Sequence, residues 1–254
     1  MEQLPDLAPL AAVAKTLAGE WGLELGMPFS ATRYSYVVPA GADAVLKLRP
    51  AEDDESEEEA DALALWDGDG AVRLLRRDDA RRAILLERVR PGSDLSTLPE
   101  DEATARAVEI GPRLWRPAGA SFRWIGDHVP RWLDNAESEP GRALVPLARR
   151  LSAELDVGRA VLVHGDFHHH NLLAAGSGYV AIDPKPMLGE PEFDVAPFLW
   201  NPLSSRMRLD VTERRLAAFA AAGLDEGRMR AWAVIRGAYL QTDACALAVI
   251  RALV

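Results

Sequence analysis

Leu162-Val-His-Gly-Asp-Phe-His-His-His-Asn171, followed by Val180-Ala-Ile-Asp-Pro-Lys185, is the stretch on which the reading of this chain turns. It sets Asp166 five positions before Asn171, and a second aspartate, Asp183, twelve positions further on at the end of a short apolar run. Ala160-Val-Leu-Val163 is a β-branched run that reads as a buried strand. His164-Gly165-Asp166 then turns the chain, with Gly165 supplying backbone freedom. Asn171 to Ala174 and Tyr179 to Ile182 read as the strands of a hairpin, with Ala175-Gly-Ser-Gly178 as its turn. Asp166 and Asn171 then stand at the two ends of one loop, and Asp183 leaves the neighbouring strand beside them. Three oxygen-bearing side chains converge, and oxygen ligands are what magnesium requires. Such an arrangement suits phosphoryl transfer: one carboxylate orients an attacking hydroxyl, while an amide and a second carboxylate hold the metal on nucleotide phosphates. The bland alternative is a loop rich in turn-forming Asp and Asn, with a solvated histidine run.

His-Gly-Asp-x-x-x-x-Asn followed by Ile-Asp resembles the signature of the aminoglycoside phosphotransferase family, whose fold is protein-kinase-like. Gly189-Glu-Pro-Glu-Phe-Asp-Val-Ala196, Asn201-Pro202, Glu58-Glu-Ala-Asp-Ala-Leu-Ala-Leu-Trp66 and Leu85-Leu-Glu-Arg-Val-Arg-Pro-Gly92 resemble one branch of it. That branch contains streptomycin 6-phosphotransferases and hydroxyurea phosphotransferases. The resemblance runs from about Ser30 to Pro202. It implies an α+β, bilobal fold with a small β-rich lobe over residues 1–89 and a larger, mainly helical lobe over 90–254. It also implies ATP as phosphoryl donor, Mg2+, and a small hydroxylated acceptor. That acceptor is a cationic aminocyclitol of the streptomycin type, or another metabolite such as a sugar, an amino alcohol or hydroxyurea. A non-catalytic nucleotide-binding module on the same fold is the competing reading, and intact Lys47, Asp166, Asn171 and Asp183 argue against it.

Within this frame Asp166 is the candidate catalytic residue, and Asn171 and Asp183 are the candidate metal ligands. Lys47 lies in a strand among Val45, Leu46 and Leu48, where a lysine needs an anionic partner or ligand. The resemblance makes it the lysine that reaches the α- and β-phosphates, with Glu59 as its partner. At helical spacing Glu59, Leu63 and Trp66 share one face, so Glu59 turns inward while Glu57 and Glu58 point elsewhere. Adenine is expected near the backbone of Glu87 to Val89. Ser30-Ala-Thr-Arg-Tyr34 occupies the place of a glycine-rich phosphate loop without a glycine, leaving Ser30, Thr32 and backbone amides to cradle phosphate. Neither a Walker-type P-loop nor a Gly-x-Gly-x-x-Gly fingerprint occurs.

The 254 residues suffice for one large domain or two lobes, and 48% hydrophobic with 27% charged residues reads as a soluble globular protein. One cysteine, Cys245, rules out an internal disulfide, fits a reducing cytoplasm, and reads as packing in a late apolar helix. No run approaches a membrane span, and no basic-then-apolar signal opens the chain, so a cytoplasmic location without membrane partners is expected. A formal charge of −10 argues against nucleic acid and suits a cationic substrate. Asp210, Glu213, Asp225 and Asp243 are the acidic residues of the later helices that such an acceptor pocket could draw on. The histidine cluster raises zinc, but three consecutive histidines cannot converge from one segment. Asp194 is expected to cap a helix or brace the catalytic loop, and Lys185 reads as an exposed loop lysine.

Periodicity predicts a helix over 6–21, strands over 33–38 and 43–48, a helix ending at Trp66, and strands over 71–75 and 83–89. Helices follow over 100–116, 128–136, 141–155, 192–199, 210–222 and 225–252.

Overall fold

The computed structural model describes residues 7–30, 34–51, 58–119, 121–136, 138–203 and 207–254. Its first part runs α1 (Ala8–Trp21), β1 (Tyr36–Ala40), β2 (Ala44–Leu48), α2 (Glu59–Trp66), β3 (Leu74–Asp78) and β4 (Ala83–Glu87). The four strands form an antiparallel sheet in the order β1-β2-β4-β3. Strand alternation sorts its faces. Ala44, Leu46 and Leu48 of β2 join Ala83 and Leu85 of β4 beneath Ala14 and Leu17 of α1. Ile84 and Leu86 of β4 point the other way and join Ala60, Leu63 and Trp66 of α2 in the larger core.

The second part is mainly helical. It runs β5 (Pro91–Asp94), α3 (Glu100–Leu114), α4 (Ile125–Asp134), α5 (Glu139–Arg142), α6 (Val145–Ser152), β6 (Val161–Val163), β7 (Leu172–Ala175), β8 (Gly178–Ala181) and β9 (Met187–Gly189). It ends with α7 (Val195–Trp200), α8 (Leu209–Ala221), α9 (Glu226–Leu240) and α10 (Ala244–Ala252). Two small antiparallel sheets, β5-β7-β8 and β6-β9, hold the 164–185 segment against these helices. The expected bilobal α+β architecture is the one observed. The two lobes are tied where the Val72 amide donates to the Ala181 carbonyl at 2.9 Å and the Ala181 amide to the Gly70 carbonyl at 2.8 Å.

Four details differ from expectation. The helix expected over 225–252 is two helices, because the Asp243 carboxylate accepts from the Cys245 and Ala246 amides and starts α10 afresh. The helix expected over 141–155 also divides, with Ser138 capping α5 and Pro146 opening α6. Strands β5 and β9 escape sequence reading. Pro-Gly-Ser-Asp has a turn composition, and it is extended here because β7 offers it a ladder. Cys245 is exposed in the first turn of α10, not packed inside. No helix among the described residues is long and apolar enough to cross a membrane.

Trp66 joins the lobes. It is 1% exposed, and its indole N–H donates to the Leu114 carbonyl of α3 at 2.9 Å. Replacing Trp66 by Ala removes that bond and leaves a cavity in the shared core, with an expected loss of about 3–5 kcal/mol. Urea unfolding of parent and variant measures it, and a loss below about 1 kcal/mol would contradict the assignment.

Candidate active site

Lys47 sits on the face of β2 opposite α1, in the register position facing Val37 and Ile84. Its ammonium is buried and makes a two-pronged contact with Glu59, at 2.7 Å to Oε1 and 2.9 Å to Oε2. It also bonds the Asp183 carboxylate. Glu59 is fully buried in the first turn of α2, on the inward face with Leu63 and Trp66 as periodicity predicted. Glu58 points elsewhere and bonds Arg123 at 2.8 Å, while Glu57 lies outside the described residues. Burial alone would lower the Lys47 pKa, but Asp183 and Glu59 hold it above the ordinary lysine value. The Asp183 carboxyl is held below its usual range, chiefly by Lys47. Half of the Asp183 side chain remains open to solvent, so it faces both lysine and cleft. Its backbone takes a φ of 56°, a left-handed conformation that aspartate tolerates better than most residues.

The loop between β6 and β7 is built by backbone bonds. Asp194 accepts from the His164 and Gly165 amides at 2.8 Å each, and from the Trp115 indole at 2.9 Å. It braces the loop and caps no helix with its side chain. His164 is fully buried; its Nε2 lies 3.0 Å from the Ile182 carbonyl and its Nδ1 accepts from the Asp166 amide at 3.2 Å. A carbonyl only accepts, so the proton belongs on Nε2. Gly165, at a φ of +85°, lies so close to the segment after Asp183 that a Cβ would meet the Lys185 carbonyl at 1.9 Å. Only glycine fits there. The Asn171 amide nitrogen donates to the Asp166 carbonyl at 2.9 Å and to its Oδ2 at 3.2 Å, which leaves Asn171 Oδ1 as the oxygen open to a cation. Burial pushes the Asp166 carboxyl up, but His168, Lys185 and Arg236 outweigh it and hold the group well below the usual carboxylate range. Lys185 is half-buried beside both aspartates, not the exposed loop lysine expected.

The structure therefore brings Lys47, Glu59, Asp166, Asn171 and Asp183 to one cleft. At the lobe connection the Glu87 amide donates to the Arg73 carbonyl and the Arg88 amide to the Asp43 carbonyl. Among the described residues no such bond takes the Val89 amide. Ser30 is exposed in the turn after Phe29, whose amide bonds Val37, the residue opposite Lys47. Thr32 lies outside the described residues.

Residues 21–242 match the model of the aminoglycoside/hydroxyurea antibiotic resistance kinases. The chain belongs to that family. A hydroxyurea phosphotransferase of Kitasatospora aureofaciens is 34% identical over 233 residues, covering 85% of this chain and 67% of that protein. A streptomycin 6-kinase of Streptomyces glaucescens is 31% identical, covering 89% of this chain and 80% of that one. Among solved structures, an aminoglycoside phosphotransferase in ternary complex with ADP and hygromycin B superposes with a TM-score of 0.62 at 18% identity, covering 95% of this chain and 97% of that one. The protein is a small-molecule kinase, and its fold is protein-kinase-like.

The three consecutive histidines of this kinase point in three directions. His168 lies 3.5 Å from Asp166 Oδ2. His170 reaches Asp94 at 2.7 Å. His169 is buried and stacks on Phe198 of α7, with centroids 4.1 Å apart and planes at 10°. Its Nε2 faces Arg215 of α8 at 3.4 Å, and Arg215 is itself pinned by Glu100 at 2.6 and 2.7 Å. Arg236 of α9 donates to the Gly165 carbonyl at 3.0 Å, under the loop. Sequence reading missed Arg215 and Arg236. The available signal was a single charge within the apolar run Ala231-Trp-Ala-Val-Ile-Arg-Gly-Ala-Tyr239, which a helix core accepts only with partners.

Burial, with Arg215 next, pushes the His169 imidazole down to about 3. The unfolded chain therefore takes up this proton first. The stability involved is fully present above roughly pH 6.5 and is lost as pH falls toward the folded value. His169→Phe keeps a ring on Phe198 and removes the titration. Urea midpoints at about pH 7 and pH 5 should fall less in the variant than in the parent. Equal falls would show that His169 carries none of the acid sensitivity, leaving it to His164, which burial lowers in the same direction.

Proposed function

We propose that the chain transfers the γ-phosphoryl group of ATP, with Mg2+, to a hydroxyl of a streptomycin-type aminocyclitol. The observation that carries the chemistry is the single cluster in which Lys47 bonds Glu59 and Asp183 while Asn171 holds Asp166. The acceptor rests on the 31% identity to a streptomycin 6-kinase across most of both chains. Hydroxyurea is the second reading, supported by the 34% identity to a hydroxyurea phosphotransferase. In functional terms residues 1–89 supply the nucleotide side and 90–254 the catalytic loop and acceptor side.

The donor set suits a hard cation: Asn171 Oδ1 and the half-exposed Asp183 carboxylate are oxygens at the cleft mouth. Magnesium, when bound, supplies charge neutralisation on the β- and γ-phosphates. Lys47, fixed by Glu59, would reach the α- and β-phosphates, with Ser30 on the nucleotide side. The connection from Glu87 to Val89 would meet adenine. Asp166 stays ionised at neutral pH, so it orients the acceptor hydroxyl as a hydrogen-bond acceptor and takes its proton late. A carboxylate so weakly basic does not deprotonate an alcohol in the ground state. Rate then comes mainly from positioning and charge placement.

Asp166→Asn keeps the shape and removes the orienting charge. Turnover should fall about 10²–10⁴-fold with ADP binding retained, and turnover within a few-fold of the parent would remove Asp166 from the mechanism. Asp183→Ala should abolish the magnesium dependence of ATP binding in calorimetry. The same magnesium dependence in parent and variant would refute the ligand assignment.

A further inference from the structure

The acidic residues that the later helices offered to a cationic acceptor are engaged elsewhere. Asp210 pairs with Arg208 and Arg214. Glu213 pairs with Arg230. Asp225 caps α9 and Asp243 caps α10. A row of rings runs from α4 to α9. His128 and Trp132 stand one turn apart on α4, with centroids 5.7 Å apart, and Trp132 stacks on Tyr239 of α9 at 5.2 Å and 29°. All three are half-buried.

The flanking bonds locate the row. At the start of α4, the Arg123 guanidinium bonds Glu58, the neighbour of Glu59, and the Arg123 carbonyl accepts from the Leu188 amide at 2.8 Å. Both Arg123 and Glu58 act electrostatically on His128. At the other end, Tyr239 stands one turn beyond Arg236, which bonds the Gly165 carbonyl beside Asp166. Residues 185–188 connect the two ends, because the Lys185 amide donates to the His164 carbonyl at 2.8 Å. The row thus stands between the nucleotide side at Glu58 and the catalytic loop at Gly165. Gly126, Pro130 and Leu133 occupy the other flank of α4, where they line a separate cavity with α6. Burial, with Arg123 and Arg131, holds His128 below the ordinary histidine value against the pull of Asp127 and Glu58, so the imidazole itself is neutral at pH 7.

We propose that His128, Trp132 and Tyr239 form the acceptor wall, and that the wall recognises a planar cation, a guanidinium, by stacking and cation–π attraction. Ring faces attract guanidinium groups, Trp most strongly, and a neutral amide gains much less. The inference rests on the reading of the chain as a kinase for a guanidino-aminocyclitol. Ring recognition loses less to screening by salt than an exposed ion pair does.

Calorimetry with streptomycin, and separately with ADP and magnesium, tests it on the parent, Trp132→Leu, Tyr239→Leu and Trp132→Phe. Trp132→Leu should weaken streptomycin binding about tenfold and Trp132→Phe by no more than about threefold, with ADP binding unchanged in all. Tyr239→Leu should act in the same direction as Trp132→Leu. Unchanged streptomycin affinity in both leucine variants overturns the wall, as does an equal loss of ADP affinity, which would mark a structural role. A parent that binds streptomycin through the wall without phosphorylating it refutes the proposed reaction and leaves the wall standing. A parent that phosphorylates streptomycin with the same KM in every variant does the reverse. A parent that does not bind streptomycin overturns the wall.

Discussion

The cleft depends on neutralising one buried ammonium. Lys47 is 5% exposed, and a cation there is tolerated only in the grip of anions. Meeting that need fixes three elements at once. The first turn of α2 must face inward to present Glu59. The sheet must lie so that the cleft face of β2 meets α2. The chain leaving β8 must pass beneath β2 to present Asp183. The bonds from Gly70 and Val72 to Ala181 hold that exit in place, and Gly165 lets the catalytic loop close against it. Arg49 stands nearby at 3.8 Å from Glu59, so the cluster balances two cations with two carboxylates.

How much of this was legible depended on distance along the chain. Asp166 and Asn171 stand at the two ends of one short loop, so their spacing nearly fixes their proximity, and the structure adds a direct bond between them. Glu59 was legible as inward-facing because helix periodicity assigns faces. The pairing of Lys47 with Asp183 spans 136 residues, and no local pattern encodes it. Sequence analysis paired Lys47 with Glu59 alone and gave Asp183 to the metal. His169, Arg215 and Arg236 were read poorly because their partners are carbonyls and rings on distant helices.

Composition misled in an instructive way. A net charge of −10 suggested acidic walls for a cation, yet charge counts do not reveal which carboxylates already have partners. In this chain many of them have arginine partners. Glu190 accepts from Arg228 and the Trp232 indole, and Glu192 from Arg159, both buried beneath α9. The negative charge is distributed among arginine pairs that order the helices. Strands β5 and β9 show the same limit in backbone terms, since each is extended only because a neighbour supplies hydrogen bonds.

Helix α2 belongs by chain order to the first lobe, but Ala60, Leu63 and Trp66 pack in the larger core with α3 and the catalytic segment. Leu46 and Leu48 of β2 belong to the smaller core under α1. Glu59 thus stands on a helix of the larger core, while Lys47 stands on a strand whose alternate residues belong to the smaller one. Ile84 and Leu86 of β4 pack in the larger core as well, so the sheet and α2 are joined there and through the Lys47–Glu59 contact. The ion pair is a charged contact at the boundary between the two cores, and its two short bonds fix how α2 and β2 meet.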